Sequence, residues 1–244
     1  MVKANLVANG SLYTSTSLRL AKRFDFIILE DDAYYYLNYA EPPETRPRSY
    51  LALAREVNSE SGRVVRFDSL RKIVSAGMRL GIRTGPVSVV KKVIRIPENV
   101  NLQPSSTTQL LALSILRHWG HTGFLKHCRT AAQVYRRRRD VFITAAERHL
   151  QGKATWVVPT AGMFIWMELQ LPLGRDSFSL FERQDRKNGI FAIPGAAFMP
   201  VLRREKGCHV RVSFSLVAEG GMEEACRRIA RLVSAEWVDF GLNI

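Results

Sequence analysis

The stretch that most constrains this chain is residues 64–86, VVRFDSLRKIVSAGMRLGIRTGP. It opens on a short apolar run, Val64-Val65-Arg66-Phe67, with strand character. A polar cluster follows, Asp68-Ser69-Leu70-Arg71-Lys72. Gly77 and Gly81 then bracket Arg79, and Leu80–Thr84 reads as a second strand closed by Gly85-Pro86. A single lysine between two strands of buried character is unusual, because a buried ammonium is costly unless paired or neutralised. A lysine whose pKa is depressed is an amine nucleophile, and capture of a carbonyl as a Schiff base is its best-known use. Ser69, Arg71 and Arg79 around it supply donors suited to a phosphate. The plainer alternative is a solvated loop lysine beside a surface arginine.

Upstream, Leu18–Arg23 reads as the end of an amphipathic helix, and Phe24–Leu29 as an apolar strand interrupted only by Asp25. Such a run is expected in a buried parallel sheet. It ends in Glu30-Asp31-Asp32-Ala33-Tyr34-Tyr35-Tyr36. Helix, strand, then acids at the strand's carboxyl end is the α/β pattern, and ligands of such sheets sit at those ends. The spacing D-x-x-Y occurs twice, as Asp31 with Tyr34 and as Asp32 with Tyr35. The structural alternative is a pair of helix-capping acids beside core tyrosines.

These two stretches resemble the active-site segments of fold-type I, pyridoxal-phosphate-dependent aminotransferases of class I/II. The likeness is greatest to the branch that handles aromatic amino acids, kynurenine and 2-aminoadipate. That family's pattern runs Asp-Ser-Phe-Ser-Lys, then Gly-Leu-Arg-Leu-Gly and Thr-Gly-Pro. Here it reads Asp68-Ser69-Leu70-Arg71-Lys72, then Gly77-Met78-Arg79-Leu80-Gly81 and Thr84-Gly85-Pro86. The resemblance implies that Lys72 is the Schiff-base lysine and that Arg79 binds the cofactor phosphate. Arg71 stands where the family has a second phosphate-binding serine; an arginine also reaches a phosphate, but its bulk is a source of clash. The family's Glu-Asp-Asp-Pro-Tyr-Tyr aligns with Glu30–Tyr35. By that alignment Asp31 keeps the pyridine nitrogen protonated, and so keeps the ring an electron sink. Tyr34 then donates to the ring's phenolic oxygen.

Further on, Val87–Ile96 is a basic amphipathic helix candidate, and Ser105–Trp119 a helix with Leu110, Leu111, Leu113 and Leu116 on one face. In the family a comparable helix lies near a dimer interface. His121–Leu150 reads as one long helix or two in series, carrying Arg136-Arg137-Arg138-Arg139. Four consecutive helical residues point to different sides, so the run makes no single patch. His118 and His121 have metal-like spacing, but Gly120 lies between them and no acid follows, so no metal is expected. From Gly152 short strands and helices alternate: Thr155–Val158, Met163–Glu168, a helix at Phe178–Lys187, a strand at Gly189–Ile193 and a closing helix at Glu219–Ser234. In His209–Ser215, period-two alternation puts Arg211 on one face with Ser213 and Ser215. The strand resembles the family's Arg-Leu-Ser-Phe-Ser, which implies that Arg211 grips the substrate α-carboxylate. An edge-strand arginine paired with an acid is the alternative.

The expected fold class is therefore α/β: the C-terminal part of a large parallel-sheet domain, residues 1–120, a connecting helix, 121–150, and a small α+β domain, 151–244. The family's N-terminal half is not recognisable in the sequence. The resemblance implies a pyridoxal 5'-phosphate enzyme that moves an amino group from an amino acid to a 2-oxo acid, and a homodimer. The alternative is an inactive remnant that acts at most as a binding or partner subunit. The formal charge is +14, from 36 basic and 22 acidic residues. Such a field suits an anionic cofactor and dicarboxylates. No nucleic-acid motif accompanies it, so no nucleic-acid partner is expected. Three scattered cysteines indicate neither a disulfide framework nor a zinc site. With no membrane-length apolar run, a cytoplasmic, reducing setting is the expectation.

Overall fold

The computed structural model describes residues 10–40, 45–57, 62–100, 103–181, 192–199 and 207–241. The chain divides into two compact units, Met1–Ala132 and Gln133–Ile244. Among the described residues no helix is long and apolar enough to cross a membrane.

In the first unit, helix α1 (Gly10–Arg23) leads to strand β1 (Ile28–Asp31). Helix α2 (Tyr50–Val57) then crosses over to strand β2 (Val64–Ser69), which runs parallel to β1. A parallel pair needs such a crossover, since a tight hairpin joins only antiparallel strands. The one-turn helix α3 (Leu70–Ile73) continues directly from β2, and strand β3 (Gly81–Thr84) returns antiparallel to it. Leu18, Leu53, Ala54 and Val64 form a buried cluster, with Ile28, Tyr50 and Leu51 packed against it. Helix α4 (Val87–Val100) follows β3.

Three expectations need correction. Strand β3, read as buried in character, is exposed along its whole length. The run 24–29 is not a continuous buried strand. The backbone amides of Phe24 and Phe26 return to the carbonyls of Leu20 and Ala21, and Asp25 takes φ 53°. This is a left-handed helix exit. It leaves only Ile28–Asp31 to pair, with Leu29 57% exposed. Likewise Leu110, Leu111 and Leu113 are exposed, while Ala112 between them is buried.

Helix α5 (Ser106–His149) bends at Gly120, and the division between the units falls within it. The second unit holds a four-stranded antiparallel sheet of β4 (Ala154–Trp156), β5 (Phe164–Leu169), β6 (Ala192–Pro194) and β7 (His209–Ser213). Its order is β4-β5-β7-β6. Helix α6 (Glu219–Asp239) closes the chain. Alternation is clean: Ile165, Met167, Leu169, Val210 and Val212 are buried, as are Phe142 of α5 and Met222, Cys226, Ile229 and Val233 of α6. The core therefore lies on one face of this sheet. The opposite face carries Phe164, Trp166, Arg211 and Ser213, in register as Phe164 with Ser213 and Trp166 with Arg211. Of the helix expected over 178–187, only 178–181 falls among the described residues, and these are helical. For the strand expected from Gly189, residues 189–191 lie outside them.

A buried charge centre fixes the first sheet. Glu30 of β1 stands opposite Arg66 of β2, and Arg66 Nη1 lies 2.9 Å from Glu30 Oε1. The contact is an ion pair without the alignment of a hydrogen bond. Asp68, two residues on and so on the same face, accepts from Arg66 Nη2 at 2.8 Å and from Nε at 3.0 Å. Glu30 also accepts the amides of Tyr50 at 2.8 Å and Leu51 at 3.3 Å, which caps the N-terminus of α2. Replacing Arg66 by leucine strands two carboxylates in the sheet. Urea unfolding of Arg66→Leu is expected to show a loss of about 3–5 kcal/mol. A change within about 0.5 kcal/mol, as for an ordinary surface substitution, would refute this account.

Candidate active site

β1 and β2 are parallel and in register, with Asp31 opposite Phe67. The amide of Asp32 extends the ladder to the Phe67 carbonyl at 3.3 Å. The carboxyl ends of the two strands thus lie side by side, with β2 running two residues past the partner of Asp31. Tyr34 lies three positions beyond β1, and Lys72 three beyond β2. Lys72 Nζ sits 5.4 Å from the centroid of the Tyr34 ring. Lys72 is half-buried on α3, whose turn is closed by the amides of Val74 and Ser75 on the Leu70 carbonyl.

Ser69 is half-buried at the β2–α3 junction, with Gly81 as its cross-strand neighbour. Arg71 and Arg79 are exposed. Arg79 has φ 51° and ψ 29°, the left-handed region. For a long side chain that conformation costs about 1–2 kcal/mol. It is a strained position of the kind that clusters at functional sites. Asp31, the last residue of β1, is exposed.

The two acid–tyrosine pairs differ in their surroundings. Tyr35 is clamped between guanidinium groups, with Arg46 4.0 Å and Arg66 4.4 Å from its centroid. It belongs to the charge centre, whereas Tyr34 faces the lysine. Burial pushes the Asp32 carboxyl up from its ordinary value, with Arg66 opposing the shift. Sequence reasoning missed this charge centre. Glu30, Arg66 and Asp68 were its signal, since charges on one face of apolar strands must find partners.

The shift of Asp32 has a pH signature. The folded state holds this proton above the unfolded value of 3.8, so ionised Asp32 disfavours folding. Stability from this group is full below pH 3.8 and falls as the pH rises through the folded pKa. Asp32→Asn is therefore expected to unfold at a higher midpoint than the parent at neutral pH. The gap should close as the pH is lowered towards 3.8. A gap independent of pH would contradict burial as the cause.

In the second unit, the Arg211 guanidinium lies 4.2 Å from the Phe164 ring centroid and 4.6 Å from that of Phe198. Its Nε is buried without a hydrogen bond, and among the described residues it has no carboxylate partner. Trp166 stacks on His209 at 5.5 Å and meets Phe198 at 5.6 Å. Gly195 permits this approach, since a Cβ there would come within 3.0 Å of His209 Cβ and 3.3 Å of Trp166 Cη2. The strand alternation predicted the face of Arg211, but not the two phenyl rings around it.

The sequence model of the aminotransferase class I and II family matches residues 14–229. The chain belongs to that family. It is 73% identical over 216 residues to aminotransferase tdiD of Emericella nidulans, across 88% of this chain and 49% of that protein. It is 34% identical over 236 residues to the mitochondrial kynurenine/alpha-aminoadipate aminotransferase of Rattus norvegicus, across 93% of this chain and 53% of that one. Among solved structures, it is similar to LysN, the alpha-aminoadipate aminotransferase of Thermus thermophilus, complexed with N-(5'-phosphopyridoxyl)-L-leucine. That match has TM-score 0.80 and 25% identity, across 92% of this chain and 54% of LysN. The chain thus spans about half the length of the relatives it matches. The fold is that of a fold-type I aminotransferase over this span.

Proposed function

We propose that this chain carries the cofactor-binding and carboxylate-binding residues of a pyridoxal-phosphate-dependent aminotransferase. Its donor would be an aromatic or 2-aminoadipate-like amino acid, and its acceptor a 2-oxo acid such as 2-oxoglutarate. The observation that carries this reading is the Lys72 amine over the Tyr34 ring, beyond the carboxyl ends of two parallel strands. The donor set also fits the cofactor. It offers an amine for an aldehyde, a phenol for a ring oxygen, an acid for a pyridine nitrogen, and Ser69, Arg71 and Arg79 for a phosphate. The phosphopyridoxyl compound held by LysN supports the same assignment.

Pyridoxal phosphate, when bound, supplies an electron sink for the bonds at the substrate Cα. Lys72 would hold the cofactor and then move the Cα proton, taking it as general base and returning it as acid through Nζ. Asp31 is the better partner for a pyridinium than Asp32, because burial disfavours the charged form of Asp32. Arg211 would take the α-carboxylate in two parallel hydrogen bonds and so orient the Cα–H bond. The lack of a carboxylate partner for it among the described residues, and the Phe164 and Phe198 rings beside it, support that role.

Borohydride treatment of the chain with added pyridoxal phosphate is expected to fix a label on Lys72, identified by peptide mass. Lys72→Ala should remove it; no label in the parent chain would defeat the reading. Arg211→Lys loses the planar fork and is expected to weaken amino-acid binding about tenfold or more. Labelling of Lys72 should be unaffected. Equal affinity in the two proteins would remove Arg211 from the site.

A second reading is favoured by the exposure of β3 along its whole length, beside relatives twice as long. On it the chain is a catalytically inactive form that serves at most as a binding or partner subunit. The unfolding midpoint separates the two. A ligand of the folded state at a hundred times its Kd stabilises by about 2.7 kcal/mol. A midpoint unmoved by saturating pyridoxal phosphate supports the second reading.

A further inference from the structure

Two residues one helical turn apart on α5 reach different segments of the candidate site. Phe124 meets Tyr36 edge to face, with centroids 5.2 Å apart, and Tyr36 in turn meets Tyr35. His127 Nε2 lies 2.8 Å from the carbonyl oxygen of Ile73, the residue after Lys72. A carbonyl only accepts, so the ring presents Nε2–H there. The i, i+3 spacing puts both side chains on one face of the helix.

His127 is braced as well. Trp119 stacks on its ring at 4.6 Å. Two glycines accompany that stack. Gly120 bends the helix at φ 59° and ψ −172°, a region essentially restricted to glycine. At Gly123 a Cβ would stand 3.1 Å from Trp119 Cβ, tighter than ordinary packing. The segment Trp119-Gly120-His121-Thr122-Gly123-Phe124 is thus shaped to seat a tryptophan on a histidine. Helix α3, in contrast, has a single turn, too short to be stable by itself. An outside donor on its last carbonyl fixes where it ends.

We propose that His127 is a positioning residue for Lys72. Its Nε2–H on the Ile73 carbonyl, with Phe124 on Tyr36, sets the separation of the lysine amine from the Tyr34 ring. The proposal rests on Lys72 being the cofactor-holding amine, and two readouts on the full chain keep the claims apart. The first needs no cofactor. In His127→Leu, hydrogen exchange at the Val74 and Ser75 amides is expected to be about fivefold faster, the worth of one hydrogen bond. Exchange in α2 should be unchanged. The second is borohydride labelling of Lys72 with pyridoxal phosphate, expected to fall by a similar factor. His127→Gln, whose amide reaches about as far as Nε2, should restore both. Should the leucine variant not fold, His127→Asn, whose amide stops short of the carbonyl, is expected to behave as described for leucine.

Unchanged exchange overturns the proposal whatever the cofactor does. Faster exchange with undiminished labelling makes the contact structural only, and also overturns it. No labelling in the parent, with exchange altered as expected, overturns the cofactor reading of Lys72 and upholds the hold of His127 on the turn.

Discussion

The first unit depends on one buried cation. Arg66 joins β1 to β2 through Glu30, satisfies Asp68 on its own strand, and lies over the ring of Tyr35. Glu30 passes the connection to the first amides of α2. Such centres add little net stability, because desolvation consumes most of the Coulombic gain. What they add is direction. A one-residue slip between β1 and β2 would carry Glu30 to the other face. Register holds the carboxyl ends of the two strands side by side, and Tyr34 and Lys72 follow those ends. The charge centre thus helps to set the geometry of the candidate site.

Much of this is legible in the sequence. The lysine segment between two strands, the acids at a strand's carboxyl end and the alternation around Arg211 follow from residue type and spacing. Other features are not, for stated reasons. Residues 24–27 are apolar enough for a strand, yet composition does not distinguish a strand from a helix exit held by Asp25. The leucines of α5 mark an apolar side, but amphipathy does not say whether anything covers it. The contact of His127 with Ile73 spans 54 positions and leaves no local pattern. The pairing of Arg66 with Glu30 was recoverable in principle, since a buried charge without a partner is too costly to persist.

Among the described residues two non-glycine residues hold left-handed backbone, and they differ in kind. Asp25 ends a helix, where a short polar side chain tolerates the conformation. Arg79 follows a 3-10 turn and carries a long side chain at the same torsions. Glycine would relieve that strain and remove the guanidinium. Conformational ease and the phosphate contact proposed for Arg79 oppose each other at this position.

Among the described residues the Arg211 guanidinium has no carboxylate partner, and the consequence reaches past the ligand proposed for it. Quadrupoles of two phenyl rings soften a cation but do not neutralise it. A half-buried guanidinium of this kind does not by itself distinguish one carboxylate from another. On the role proposed for Arg211, acetate or citrate in a storage buffer would compete there with an amino acid, and measured affinities would track the choice of counter-anion as much as the substrate itself.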